Sequence, residues 1–170
     1  MSGRVAADGR PPPRLGRLVP VPARRDAPPG PASDLVGTDL AGNPVTVSLE
    51  AGDGRALLVF VSSGCDGCRP FWPAAANPST LGIPPGEPVV LVTHDRRDED
   101  PAALARLVCD PAGVVMSNDA WRAYRVQGPP FFALVDRSAG RVVTEGVAWA
   151  VAQVAADVRR AIDPAPRPEG

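Results

Sequence analysis

The chain has 170 residues, 44% of them hydrophobic, enough for one domain with a true core and too many for a wholly disordered chain. Its formal net charge is −1 and its basic residues are all Arg, so there is no global electrostatic footprint for nucleic acid. No strictly apolar run is longer than Ala56–Val61, which Val147–Ala152 equals, and both are far short of the ~20 residues a membrane helix needs.

Residues 1–32 read as a Pro/Arg-rich disordered tail. The first 31 residues hold six Arg, two Asp and eight Pro, and a run such as Pro11-Pro12-Pro13 can neither donate ladder hydrogen bonds nor bury much surface. No apolar stretch in this segment resembles a signal peptide, and Arg24-Arg25 is followed by Asp-Ala-Pro-Pro rather than by a twin-arginine signal. The expected location is cytoplasmic on the sequence as read, and extracytoplasmic if translation starts upstream. A single domain is expected over 33–163, and 164–170 reads as a flexible tail.

In chain order, Leu35–Leu40 and Val45–Leu49 flank the turn residues Ala41-Gly42-Asn43-Pro44, which predicts a β-hairpin. Ala56–Ser62 predicts a strand buried on both faces. Cys65 is expected to open a helix reaching about Ala76. Val89–Thr93 predicts a second buried strand. Pro101 suits the first turn of a helix to about Val108. Val114–Met116 predicts a short strand, and Ser117 can cap a helix through about Tyr124. Phe131–Val135 and Arg141–Glu145 predict an antiparallel hairpin. Val147, Val151, Val154, Val158 and Ile162 form one apolar stripe of a closing helix. The order implies an α/β domain with a parallel βαβ start and an antiparallel finish.

The chemistry centres on Cys65-Asp66-Gly67-Cys68. An i, i+3 spacing after a buried strand sets two sulfurs on one face of a first helical turn, within reach of a disulfide. A helix N-terminus favours a thiolate, the reactive species. Asp66 opposes that by like charge and Arg69 supports it. In such a turn the first sulfur usually points outward, which makes Cys65 the expected nucleophile and Cys68 the resolving thiol. Two other readings compete. Cys65, Cys68, His94 and Cys109 would make a Cys3His zinc set, although a structural site usually offers a second close-spaced pair. The cysteines could also be an inert buried pair.

These residues resemble the thioredoxin-like superfamily. Leu57–Cys68 is similar to its active-site strand and loop, and Pro73, eight residues after Cys65, falls where the family carries a helix-kinking proline. Val126–Asp136 resembles its cis-proline segment, which implies a cis Pro130 beside the two cysteines. The hairpin Asp39–Val47 is similar to that of the TlpA/redoxin branch, which includes MauD-like proteins. The resemblance spans about 33–163. It implies a thioredoxin fold, a central mixed sheet flanked by helices with an N-terminal β-hairpin extension.

The function implied is thiol–disulfide exchange with protein or peptide substrates and an unidentified redox partner. Catalysis would rest on Cys65 and Cys68, and substrate binding on Gly64, Pro129 and Pro130. No cofactor is expected beyond the redox-active disulfide Cys65–Cys68, and neither a nucleic acid partner nor a membrane span. The alternative from another class is a non-catalytic thioredoxin-like binding module, or a copper or zinc carrier using the cysteines.

The sequence also departs from the family. Gly64 stands where the family often has Trp. Val59 stands where many members bury an acid that aids proton transfer. Pro129, before the expected cis proline, has no N–H for substrate pairing. Of the remaining residues, His94 is expected either to tune Cys65 or to sit passively beside Asp95–Asp100, read as a solvated charge run. Cys109 is expected to be a bystander thiol, and Trp72 and Trp121 are expected in the core.

Overall fold

The computed structural model describes residues 29–164. The expected tails lie outside this range, apart from residues 29–32 and Pro164. Those four N-terminal residues are not free of the domain. Ala32 is buried, its N–H donates to Gly140 O, and Pro31 bridges Arg141.

Seven strands form one sheet: β1 (Leu35–Thr38), β2 (Pro44–Val47), β3 (Arg55–Phe60), β4 (Val89–Thr93), β5 (Val114–Met116), β6 (Phe131–Asp136) and β7 (Arg141–Val147). Their order across the sheet is β2-β1-β5-β4-β3-β6-β7. The three central strands β3, β4 and β5 run parallel, and β1 and β6 flank them antiparallel. Four helices cover the sheet: α1 (Phe71–Ala75), α2 (Pro101–Leu107), α3 (Asn118–Ala123) and α4 (Val151–Ile162).

Strand periodicity builds two cores. Leu57, Val59 and Val61 of the β3 region face one layer, with Phe71 and Trp72 of α1, Leu104 of α2, and Val154 and Val158 of α4. Ala56, Leu58 and Phe60 face the other, with Trp121 of α3, Tyr124, and Leu35 and Leu49. A strand covered on both sides needs no polar face, which is why Ala56–Val61 is apolar throughout. Gly37 permits the β1–β5 approach: a Cβ there would stand 2.2 Å from Met116 O.

Polar side chains set the starts of α2 and α3, Ser117 as expected and Asp100 from within the run read as solvated. Asp100 accepts from Ala102 N at 2.9 Å and Ser117 from Ala120 N at 3.1 Å. Two expectations are corrected. The helix expected from Cys65 to Ala76 is split into a 3-10 turn at Asp66–Cys68 and the five-residue α1. Pro70 and Pro73 both lack an N–H, so a continuous hydrogen-bond ladder cannot cross this stretch. Pro73 therefore sits in the first turn of α1 rather than kinking a long helix. Val147 belongs to β7, not to the closing helix, because it pairs with Phe131.

Candidate functional site

The site lies at the C-terminal edge of the parallel strands. β3 delivers the chain through Ser62, Ser63 and Gly64 to Cys65. Cys65 N–H donates to Ser62 O at 3.2 Å and Cys68 N–H to Cys65 O at 3.1 Å, which closes the turn. Cys65 and Cys68 are joined in a disulfide with their Cα atoms 5.3 Å apart. Cys68 is fully buried, whereas Cys65 is half-buried and Gly64 exposed. The asymmetry follows from the turn: Cys68 points into the core with Phe71 and Trp72, and Cys65 lies at its edge. The helix-terminus field expected to favour a thiolate is that of one 3-10 turn only.

Pro130 stands beside the disulfide, and Pro129 precedes it in the chain. Phe60 pairs with Phe131, so the residue preceding β6 arrives at the end of β3. The Pro129–Pro130 peptide bond is cis. A Cβ on Gly67 would meet Pro130 Cδ at 3.6 Å and Cys65 Sγ at 4.0 Å, so the glycine face, the proline ring and the reactive sulfur share one small space. Beyond it, Ala148 N–H donates to Pro130 O at 2.9 Å. The next residue, Trp149, is 69% exposed, one of two large hydrophobic side chains exposed among the described residues. Trp149 is not among the residues that the sequence motifs mark. Its signal was an indole between two alanines, where a strand ends and a helix begins.

The remaining candidates lie elsewhere. His94 Nδ1 is 2.8 Å from Asn118 Oδ1, and its ring stacks on Trp121 with centroids 3.9 Å apart. Those contacts hold it to α3. Cys109 is an exposed free thiol at the rim of a cleft beside Trp72 and Ala76. Among the described residues no three His, Cys, Asp or Glu side chains gather as metal ligands, so the Cys3His set is not assembled. Trp72 and Trp121 are core residues.

The charge run after β4 is not uniformly solvated, contrary to expectation. Asp95 pairs with Arg97, and the hydrogen bond from that guanidinium holds its carboxyl below the ordinary value. Glu99, by contrast, is only 8% exposed. Its carboxylate accepts from Ser63 N–H at 3.3 and 3.4 Å and from the Ser63 hydroxyl. Nothing in its local sequence marks Glu99 off from the five polar residues before and after it.

No family model matches the sequence, and no curated protein does. Solved structures do. A Chlorobium tepidum protein described as a thiol:disulfide interchange protein DsbE superposes with a TM-score of 0.63 at 25% identity, over 80% of this chain and 95% of that one. A second thiol:disulfide interchange protein of the thioredoxin family from Chlorobium tepidum gives 0.59 at 20% identity, over 81% and 97%. A thiol:disulfide interchange protein from Bacteroides sp. gives 0.56 at 23%, over 83% and 93%. The fold is the thioredoxin fold, and the chain belongs to the thioredoxin-like superfamily. With its paired CxxC on the sheet edge it is a thiol–disulfide oxidoreductase. Among the described residues no helix is long and apolar enough to cross a membrane.

Proposed function

We propose that the protein exchanges disulfides with protein or peptide substrates through a mixed disulfide on Cys65, in the manner of the TlpA/redoxin branch. The observation that carries this reading is the unequal burial of a paired CxxC beside Pro130: one sulfur is reachable, the other is not.

In the reducing direction the Cys65 thiolate attacks one sulfur of a substrate disulfide. That S–S bond breaks, and the departing substrate sulfur leaves as a thiolate that takes up a proton. Cys68 then loses its proton and attacks Cys65 Sγ, which releases the second substrate thiol. The Cys65–Cys68 disulfide forms as two electrons and two protons pass to the substrate. The oxidising direction is the same path reversed. The dithiol form of Cys65 and Cys68 carries both electrons and the disulfide accepts them, so the chemistry calls for no further cofactor. Gly64, Pro129 and Pro130 form the floor on which an extended substrate segment lies, and the exposed Trp149 borders it.

Trapping tests the assignment. Cys68→Ser is expected to accumulate mixed disulfides through Cys65 with a cysteine-containing protein, and Cys65→Ser to accumulate none. Equal trapping by both variants would void the order of attack. A parent protein that fails to turn over a model disulfide would favour the binding-module alternative.

A further inference from the structure

We propose that Glu99 is a positioning residue of the redox pair: its buried carboxylate grips Ser63, fixes the loop that presents Cys65, and holds negative charge near the Cys65 thiolate, which biases the pair toward its disulfide and the protein toward donating electrons. This rests on the function proposed above.

The loop after β4 carries seven polar or charged residues, and the structure accounts for each. His94 turns to Asn118 and Trp121. Asp95 pairs with Arg97. Arg96 donates to Leu40 O. Asp98 accepts from Asn118 Nδ2 at 2.7 Å, and Asp100 caps α2. Glu99 alone turns to the cysteine loop. The turn that aims it inward is closed by Asp98 N–H and Glu99 N–H, both donating to Asp95 O at 3.0 Å.

A carboxylate this buried is costly unless its oxygens are satisfied. Ser63 supplies both its N–H and its O–H, and among the described residues no cation pairs with Glu99. The negative charge is therefore solvated by the cysteine loop itself and not neutralised. Ser63 and Cys65 are two residues apart, so the carboxylate lies within about 10 Å of the Cys65 main chain. That range is about one Debye length at 0.1 M salt, so like charge is still felt.

The other charges near Cys65 do not compete. Asp66 and Arg69 pair with each other at 3.5 Å and are almost fully solvent-exposed. The loop 128–130 and the segment 148–150 carry no charge. Destabilising the Cys65 thiolate disfavours the reduced state wherever that thiolate is populated, and so favours the disulfide.

The test is the pH profile of the redox equilibrium in the full chain. Glu99→Gln keeps an acceptor for Ser63 and removes the charge. The Cys65 pKa, followed by alkylation rate, is expected to fall by half a unit to one unit, about three- to tenfold in thiolate stability. Above that pKa the equilibrium with glutathione moves toward the dithiol by the same factor, about 15 to 30 mV. In acid, where both cysteines are thiols, the two proteins coincide. Ser63→Ala keeps the charge and deletes one donor, and is not expected to lower the pKa. An unchanged Cys65 pKa in Glu99→Gln overturns the proposal. So does an equal fall in Ser63→Ala, or a displacement of the equilibrium that is the same at every pH, since a packing effect would do either. If the parent pair does not cycle reversibly with glutathione, it is the proposed function that fails.

Discussion

At the residue scale, the site combines usual and unusual parts. Cys65 and Cys68 sit where a strand-to-turn transition must leave one sulfur out and one in. Pro129 is the unusual part. In the family that this chain resembles, the residue before the cis proline pairs its main chain with an extended substrate, like an added strand. Pro129 has a carbonyl to offer and no N–H. Substrate contact is then expected to depend more on apolar surface, and the exposed Trp149 stands one residue beyond the Ala148 that is bonded to Pro130 O. Pro129→Thr is expected to restore the donor and to tighten binding of an extended cysteine-containing peptide by about two- to tenfold, the worth of one net hydrogen bond of about 0.5–1.5 kcal/mol. Titration calorimetry reads this directly. Unchanged affinity with an intact fold would mean that the substrate does not pair there.

At the element scale, the strands were legible because burial on both faces writes a continuous apolar run, and the start of α3 because Ser117 is a preferred cap residue directly before it, whereas the Asp100 cap was hidden in a charge run. What was not legible came from competition between local rules. The spacing of Cys65 and Cys68 says helix, while Pro70 and Pro73 forbid one, and the prolines prevail. The apolar stripe says that Val147 continues into α4, while pairing with Phe131 claims it for β7. Glu99 was hidden in a polar run because burial there depends on a partner 36 residues away. The docking of α3 onto the N-terminal segment is another such long-range choice. Tyr124 OH donates to Ser33 O at 2.7 Å and accepts from Ser33 N–H at 3.1 Å. Burial pushes this phenol up to about 12, against the lowering effect of its bond to Ser33. Below pH 10 the phenol is protonated in both folded and unfolded chains. Above it the unfolded chain ionises first, so stability is expected to fall between pH 10 and 12 by roughly 2–3 kcal/mol. Tyr124→Phe should lack that alkaline step while being less stable at neutral pH, where Ser33 loses its partner. Urea midpoints between pH 8 and 11.5 separate the two proteins, and parallel curves would show that Tyr124 ionises equally in both states.

At the scale of the whole molecule, four carboxylates bind the loops around the sheet, and all are held below the ordinary aspartate value. Asp34 is lowered chiefly by the backbone N–H of Leu49 and then of Glu50, which it accepts at 2.6 and 2.9 Å. Asp39 is lowered by the Asn43 side chain, Asp95 by Arg97 and Asp136 by Ser138. Each stabilises the fold only while ionised. Their contribution is present above the unfolded value near 3.8 and is lost as pH falls through the lower folded values. The stability curve is therefore expected to be nearly flat from pH 7 to about pH 4.5 and to drop below it. Asp34 offers the sharpest check, because it fastens the chain before β1 to the chain after β2. Asp34→Asn keeps a weaker, uncharged acceptor, so it should cost stability at pH 7 and progressively less in acid. The difference in urea midpoint between parent and variant should close toward pH 2, where both side chains are neutral. A difference that stays constant from pH 7 to pH 2 would mean that Asp34 acts through its shape and not its charge.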